Sequence, residues 1–318
     1  MAGKNWPLRS SDLKVKTVWL YYVEGMTQEQ IAEQLGVSRV KIMRTLAAAT
    51  SEGIVVTRIN AATAEQVELE RRLEKRWGLA SAIVVPTPDN DGNLEKVLGN
   101  AVASYLDQEM QDGMTLAIGG GATLYACVQF LEHRKLNDAC VVALVGSLPH
   151  SRWINPSVVA AKVAEAYQVD SYQITAPVIL DEQGLRNLLW RQTELRGLKE
   201  RAAKADIALL TVGEISEDAT IFRHGIVPSD LISPLQACGA VANILCYFVD
   251  ENGQLVDHEI NQRVMSIELS TVAAVERVVL AAGGPTKVTA MKAALKIVKA
   301  SVLITDSQTA AALLQDEW

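Results

Sequence analysis

WLYYVEGMTQEQIAEQLGVSRVKIMRTLAAATSEGI, residues 19–54, reads as two short helices joined by a glycine turn and preceded by a third helix. The first, Leu13–Glu24, stops at Gly25, a residue suited to the left-handed conformation of a helix end. Thr27 and Gln30 stand at the S/T-x-x-E/Q spacing of a capping box, which pairs orphan amides at a helix start. Ile31 and Leu35 fall on one face, and Ala32 lets another helix approach closely. Gly36 supplies the turn. Ser38 caps the third helix, where Ile42 and Leu46 repeat the apolar pair. The pattern predicts a helix-turn-helix domain over residues 1–60, and Gly53 before the β-branched run Ile54–Ile59 marks a place for a wing.

The other face of the third helix carries Arg39, Val40, Lys41, Met43 and Arg44. In a helix-turn-helix this face enters the major groove, with its N-terminal residues nearest the base edges. Arg39 and Arg44 are expected at bases or phosphates. Lys41, Thr27, Gln28 and the capping Ser38 are expected along the DNA backbone. The competing reading is a three-helix packing module with a solvated basic face. Charge favours the first: residues 1–60 hold eight Lys/Arg and five Asp/Glu, a net of +3, while the whole chain is −7, leaving −10 for the remainder. An acidic body with a mildly basic head suits a protein that touches double-stranded DNA with one small domain. A head so weakly basic binds poorly alone, so two or more heads acting together are expected.

The remaining length fits one large domain. The chain is 49% hydrophobic and only 5% aromatic, which predicts an aliphatic core. No apolar run precedes Asp12 as a secretory signal would, and none approaches the roughly 20 residues of a membrane span. Cys127, Cys140, Cys238 and Cys246 lie in apolar segments without metal-ligand spacing and read as reduced core thiols of a cytoplasmic protein; no metal or cofactor is expected. Residues 61–79 read as a linker helix, with Leu69, Leu73 and Trp77 four apart amid charges; a dimer seam and a simple surface helix are the alternatives.

From residue 80 to 318, short apolar strands alternate with helices: 82–85, 115–118, 140–145, 171–176, 207–212, 278–282 and 302–305 are the strands. Such alternation predicts a doubly wound, mostly parallel α/β domain, covered on both faces. Ligands of such sheets sit at the carboxyl ends of strands. There lie Gly119-Gly120-Gly121-Ala122-Thr123, Gly146-Ser147 and Gly283-Gly284-Pro285-Thr286-Lys287. Glycines let backbone approach an anion, and a helix start presents free amides with partial positive charge. Lys287, at the first turn of a helix, opposes the helix dipole unless an anion sits beside it. A tight strand–helix turn and a surface lysine are the alternatives. Neither a Walker loop nor a G-x-G-x-x-G fingerprint is present.

The chain resembles the SorC (sugar-binding) family of bacterial transcriptional regulators over essentially its whole length. The resemblance is carried by WLYYVEGMTQEQIAEQLGVSR, the 119–123 loop, GAVANILCYFVDENG (239–253), NQRVMSIEL (261–269) and AAGGPTKVTAMKAALK followed by VLITDSQTAAALL. It implies a DNA-binding head on an effector domain similar to sugar-phosphate isomerases and deaminases, assembled as a tetramer of paired dimers. It implies an operator, and a sugar, polyol or sugar-phosphate effector. Gly119–Thr123, Gly284 and Lys287 match the family's phosphate-side loops. Asn243 matches a position that is often Asp and contacts sugar hydroxyls; Ala242 replaces the family's preceding Gly, and Thr45 replaces a leucine of the recognition helix. Two other functions stay open on the residues alone. One is an isomerase or deaminase, for which Asp181, Asp250 and Asp306 are the available acids. The other is an architectural DNA-binding protein with an inert body. Asp306 also suits the cap of the last helix.

Overall fold

Most of the expected strands are apolar on both faces, and the fold uses both; the edge strand at 170–172 is the exception. The computed structural model describes residues 10–55, 64–148 and 155–315, and the chain divides into two compact units, residues 1–59 and 60–318.

In the first unit, α1 (Ser10–Val18) runs into a wider π turn at Trp19–Val23, where the Glu24 amide donates to Trp19 O. The first helix is therefore not one regular helix to residue 24. α2 (Gln28–Leu35) and α3 (Arg39–Ser51) follow. Leu20, Ile31, Ala32, Ile42 and Leu46 form the small core. Thr45 stays outside it and donates its hydroxyl to Lys41 O, 2.8 Å, so the absent leucine removes nothing from the packing. From Val56 onward, the expected wing lies outside the described residues.

The second unit contains α4 (Ala64–Trp77), β1 (Ser81–Val85), α5 (Leu94–Glu109), β2 (Thr115–Ile118), α6 (Ala122–Cys127), β3 (Cys140–Ala143), α7 (Pro156–Tyr167) and β4 (Asp170–Tyr172). It continues with α8 (Gln183–Trp190), α9 (Thr193–Ala203), β5 (Ile207–Leu210), α10 (Thr220–Arg223), α11 (Ile232–Ala237), β6 (Ala242–Ile244) and β7 (Tyr247–Val249). α12 (Ile260–Arg263), α13 (Leu269–Val272), β8 (Arg277–Ala281), α14 (Val288–Val298), β9 (Val302–Asp306) and α15 (Ser307–Leu313) complete it. Seven strands pair in the order β1-β9-β8-β5-β2-β3-β4, all parallel. Alternate residues enter opposite cores: Ala117, Ala208, Leu210 and Leu280 on one face, Leu116, Ile118, Leu209 and Val279 on the other. β6 and β7 form a separate antiparallel hairpin above the sheet, a feature absent from the alternating pattern.

The helix read as a linker belongs to this second unit. Leu69 and Leu73 are buried in the core, and every fourth residue beside them serves the open edge of β1. Glu74 accepts from the Ala82 amide (3.0 Å), Glu70 from the Val84 amide (2.9 Å), and Gln66 donates to Val84 O (3.0 Å). An unpaired strand edge is a template for aggregation, and covering it removes that hazard. The cysteines also differ in part from expectation. Cys127 and Cys140 are buried, whereas Cys238 is exposed because it ends the short surface helix α11.

Replacing Glu70 by Ala is expected to cost about 1–3 kcal/mol, the price of an unpaired buried amide, and to speed hydrogen exchange at Val84. Glu68, exposed on the same helix, serves as control: Glu68→Ala stays within about 0.5 kcal/mol of the parent. Equal effects of the two changes in urea unfolding would show that the edge contacts carry no stability.

Candidate functional site

In the first unit, Thr27 Oγ1 accepts from the Gln30 amide (3.3 Å) while Gln30 Oε1 accepts from the Thr27 amide (2.9 Å), closing the capping box. Gly36 turns the chain at φ +66°, and Ser38 Oγ accepts from the Lys41 amide at 3.3 Å. Because Ile42, Leu46 and Ala49 face the core, Arg39, Val40, Lys41, Met43 and Arg44 all face solvent on α3. Arg39 has one distant exposed partner, Glu29 at 3.9 Å, an ion pair worth little in water. Thr27 and Ser38 use a lone pair for capping, which leaves each hydroxyl proton for an acceptor outside.

In the second unit the chain leaves β2 toward β3 and β4, and leaves β5 toward β8 and β9, so the connections part between β2 and β5. That divergence opens a crevice at the carboxyl ends of the strands. A cavity of about 540 Å³ lies there, lined by the loops after β2, β5 and β8, by the first turn of α5 and by the tip of the β6–β7 hairpin. Thr211 Oγ1 donates to Gly120 O (2.7 Å), joining two of these loops. Gly121 has φ +116°, and a side chain there would stand 2.8 Å from Thr211 Oγ1, so this turn requires glycine. α6 starts here, and so does α14, whose first turn is tightened by the Lys287 amide donating to Gly284 O at 3.1 Å.

The third loop is held from below. The Gly284 amide donates to Asp306 Oδ2 (3.1 Å) and Thr309 Oγ1 (2.8 Å). Asp306 Oδ1 also accepts from Thr87 Oγ1 (2.6 Å) and from the Thr309 amide (3.1 Å), capping α15. Burial alone pushes the Asp306 carboxyl up, but the hydrogen bonds from Thr309, Thr87 and the Gly284 amide outweigh it and hold the group below its ordinary value. Asp306 is thus committed to structure. Cys246, at the hairpin tip, has its thiol pushed up to about 12 by burial and stays protonated at neutral pH.

Residues 61–315 match the family described as "Putative sugar-binding domain". The chain is 33% identical to the deoxyribonucleoside regulator of Bacillus subtilis over 96% of its own length and 97% of the relative's. It is 30% identical to the erythritol catabolism regulatory protein EryD of Brucella abortus, over 95% and 96%. The full-length sorbitol operon regulator SorC of Klebsiella pneumoniae superposes with a TM-score of 0.72 at 25% identity, covering 95% of this chain and 98% of that one. The chain belongs to the SorC family of sugar-binding transcriptional regulators. It is an effector-modulated, DNA-binding regulator and not an enzyme, so the isomerase reading and the inert-body reading both fall away.

Of the residues singled out in the sequence, this SorC-family cavity is lined by Gly120, Gly121, Ala122, Thr123, Asn243, Gly284 and Lys287. Gly119, Gly146 and Ser147 are not on its wall. The Gly119 amide donates to Leu209 O, continuing the sheet. Gly146 is squeezed by backbone: a side chain there would meet Ala176 O at 2.7 Å. Ser147 Oγ bonds with Ser157 Oγ, 3.1 Å. Glu95, Thr211, Glu214, Asp218 and Arg223 also line the cavity and carried no local motif in the sequence; only their position after β5 or at the start of α5 places them there. Among the described residues no His, Cys, Asp and Glu cluster is suited to a metal ion, and no helix is long and apolar enough to cross a membrane.

Because Asp306 has a depressed pKa, its contribution is present above the unfolded carboxylate value of about 3.9 and is lost as pH falls through its lower folded value. Asp306→Ala is therefore expected to cost about 1–2 kcal/mol near neutral pH through loss of the cap. Unfolding curves of the two proteins should converge below the carboxylate range. A constant difference down to the lowest pH would assign the loss to packing.

Proposed function

We propose that the effector is a phosphorylated sugar or polyol, bound with its phosphate on the turn of Gly120–Thr123 and Gly284 beside Lys287. The observation that carries this reading is Lys287 itself. It is half-buried in the cavity wall, has no ion pair among the described residues, and stands in the first turn before α14, where the helix dipole disfavours a cation. A phosphate there meets the charge of Lys287 and the backbone amides of the glycine turn before α6 together. Relatives named for deoxyribonucleosides, erythritol and sorbitol support a sugar or polyol as the carrier.

In this reading the operator is held by α3: Arg39 and Arg44, with Val40 and Met43, meet base edges and phosphates, while Thr27, Gln28, Ser38 and Lys41 hold the backbone. The chain acts in the cytoplasm as a homo-oligomer, a tetramer of paired dimers, because a head of net charge +3 needs a second head to hold DNA at physiological salt. The effector favours one arrangement of the subunits and so alters the spacing of the heads. A coupling of about 1–3 kcal/mol is enough to change operator occupancy several-fold or more.

Thermal unfolding against monophosphates of triose to hexose sugars and their alditols tests the cavity. A ligand at a hundred times its Kd stabilises by about 2.7 kcal/mol, and Lys287→Ala is expected to remove most of that gain. A full shift in the variant would overturn the phosphate assignment. For the head, Arg44→Ala is expected to weaken binding to a duplex selected by the parent protein by about tenfold, the loss of about 1–3 kcal/mol set by one base contact. Unchanged affinity at matched salt would remove Arg44 from the interface.

A further inference from the structure

Glu214 and Asn243 line the same cavity with complementary unmet needs. The backbone after β5 passes Gly213, which exchanges two hydrogen bonds with Asn243 on β6: Gly213 amide to Asn243 O at 2.9 Å, and Asn243 amide to Gly213 O at 2.8 Å. This bridge fixes the chain that carries both side chains, and both residues line the cavity. Asn243 is 8% exposed, and its Nδ2 is buried without a hydrogen-bond partner among the described residues. Glu214 Oε2 is buried and unpartnered too, and no cation pairs with its carboxylate among the described residues. Buried polar atoms are nearly always paired, and a carboxylate left without a donor is the costlier kind. Other unpartnered hydroxyls, such as those of Ser266 and Thr305, lie off the cavity wall.

We infer that Glu214, beside Asn243 at the position where the family contacts sugar hydroxyls, selects the uncharged, hydroxylated end of the effector. An ionised carboxylate only accepts, so Glu214 calls for an O–H from the ligand; the Asn243 amide nitrogen only donates, so it calls for a ligand oxygen with a free lone pair. Two neighbouring sugar oxygens meet both needs, one as hydroxyl donor and the next as acceptor. The charge on Glu214 strengthens the bond it accepts and repels a second anionic group. The effector class is therefore a monophosphate whose other end is a neutral polyol or sugar, with sugar acid phosphates and bisphosphates excluded from that end. This assignment rests on the reading of the cavity as the phosphorylated-sugar site.

The experiment is thermal unfolding and calorimetric titration of the full chain and of its Glu214→Gln and Lys287→Ala variants. The probes are sugar and alditol monophosphates, and a hexonic acid phosphate of matched length. Glu214→Gln is expected to bind the monophosphate that shifts the parent at least tenfold more weakly and to narrow the parent's preference for it over the acid. Its unliganded midpoint should not fall, because Glu214 Oε2 has no hydrogen bond to lose among the described residues. Parent-like affinity and preference in Glu214→Gln, while Lys287→Ala loses binding, would overturn the role of Glu214 and leave the phosphate site standing. A midpoint lowered without ligand, with affinity unchanged, would make Glu214 structural. Failure of every monophosphate to bind the parent would sink the cavity reading and this inference with it.

Discussion

The parting of the chain between β2 and β5 is the constraint on which the second unit depends. A parallel sheet sends each connection over a face, and where successive connections leave in opposite directions no helix covers the strand ends. The space left is closed at its sides by hydrogen bonds between neighbouring loops, such as Thr211 to Gly120, and roofed by the β6–β7 hairpin. Remove the divergence and the glycine turns become ordinary strand–helix corners. With it, three loops far apart in the chain share one wall.

The same hydrogen-bond accounting explains residues that look idle in isolation. Parallel sheets are stable when buried on both faces, but their edges remain open. Here Gln66, Glu70 and Glu74 close the edge at β1, so the most charged stretch of the chain is also a structural one. Asp306 has an analogous part at the strand ends. It caps α15 and holds the Gly284 amide, which sets the turn that carries Lys287. A carboxylate at the end of a buried strand thus shapes the cavity from beneath without lining it. Glu214 shows the opposite case, a carboxylate in the wall with a buried oxygen that the protein itself does not satisfy.

The two units divide the work by charge. The head presents Arg39, Lys41 and Arg44 on the exposed face of a helix whose opposite face gives Ile42 and Leu46 to the small core. The body is acidic and contains the sugar-binding fold of the SorC family.

Local chemistry made the head legible. The Thr27–Gln30 box, the Gly36 turn and the Ser38 cap are contacts within three or four residues, so their spacing in the sequence already contains their geometry. The strand–helix alternation and the glycine turns after β2 and β8 were legible for the same reason. The π turn at Trp19–Val23, the edge contacts of α4, the hairpin over the cavity and the places of Glu214, Asp218 and Arg223 were not. They depend on which strands become neighbours, and sheet order is set by burial of whole faces over long sequence separations, where no local spacing records it. So the sequence alone determined the helix-turn-helix, the two-faced parallel sheet and the glycine turns at its strand ends. Only the tertiary structure decided which of them share a wall, turned Gly146 and Ser147 to packing, and brought Asn243 beside Glu214.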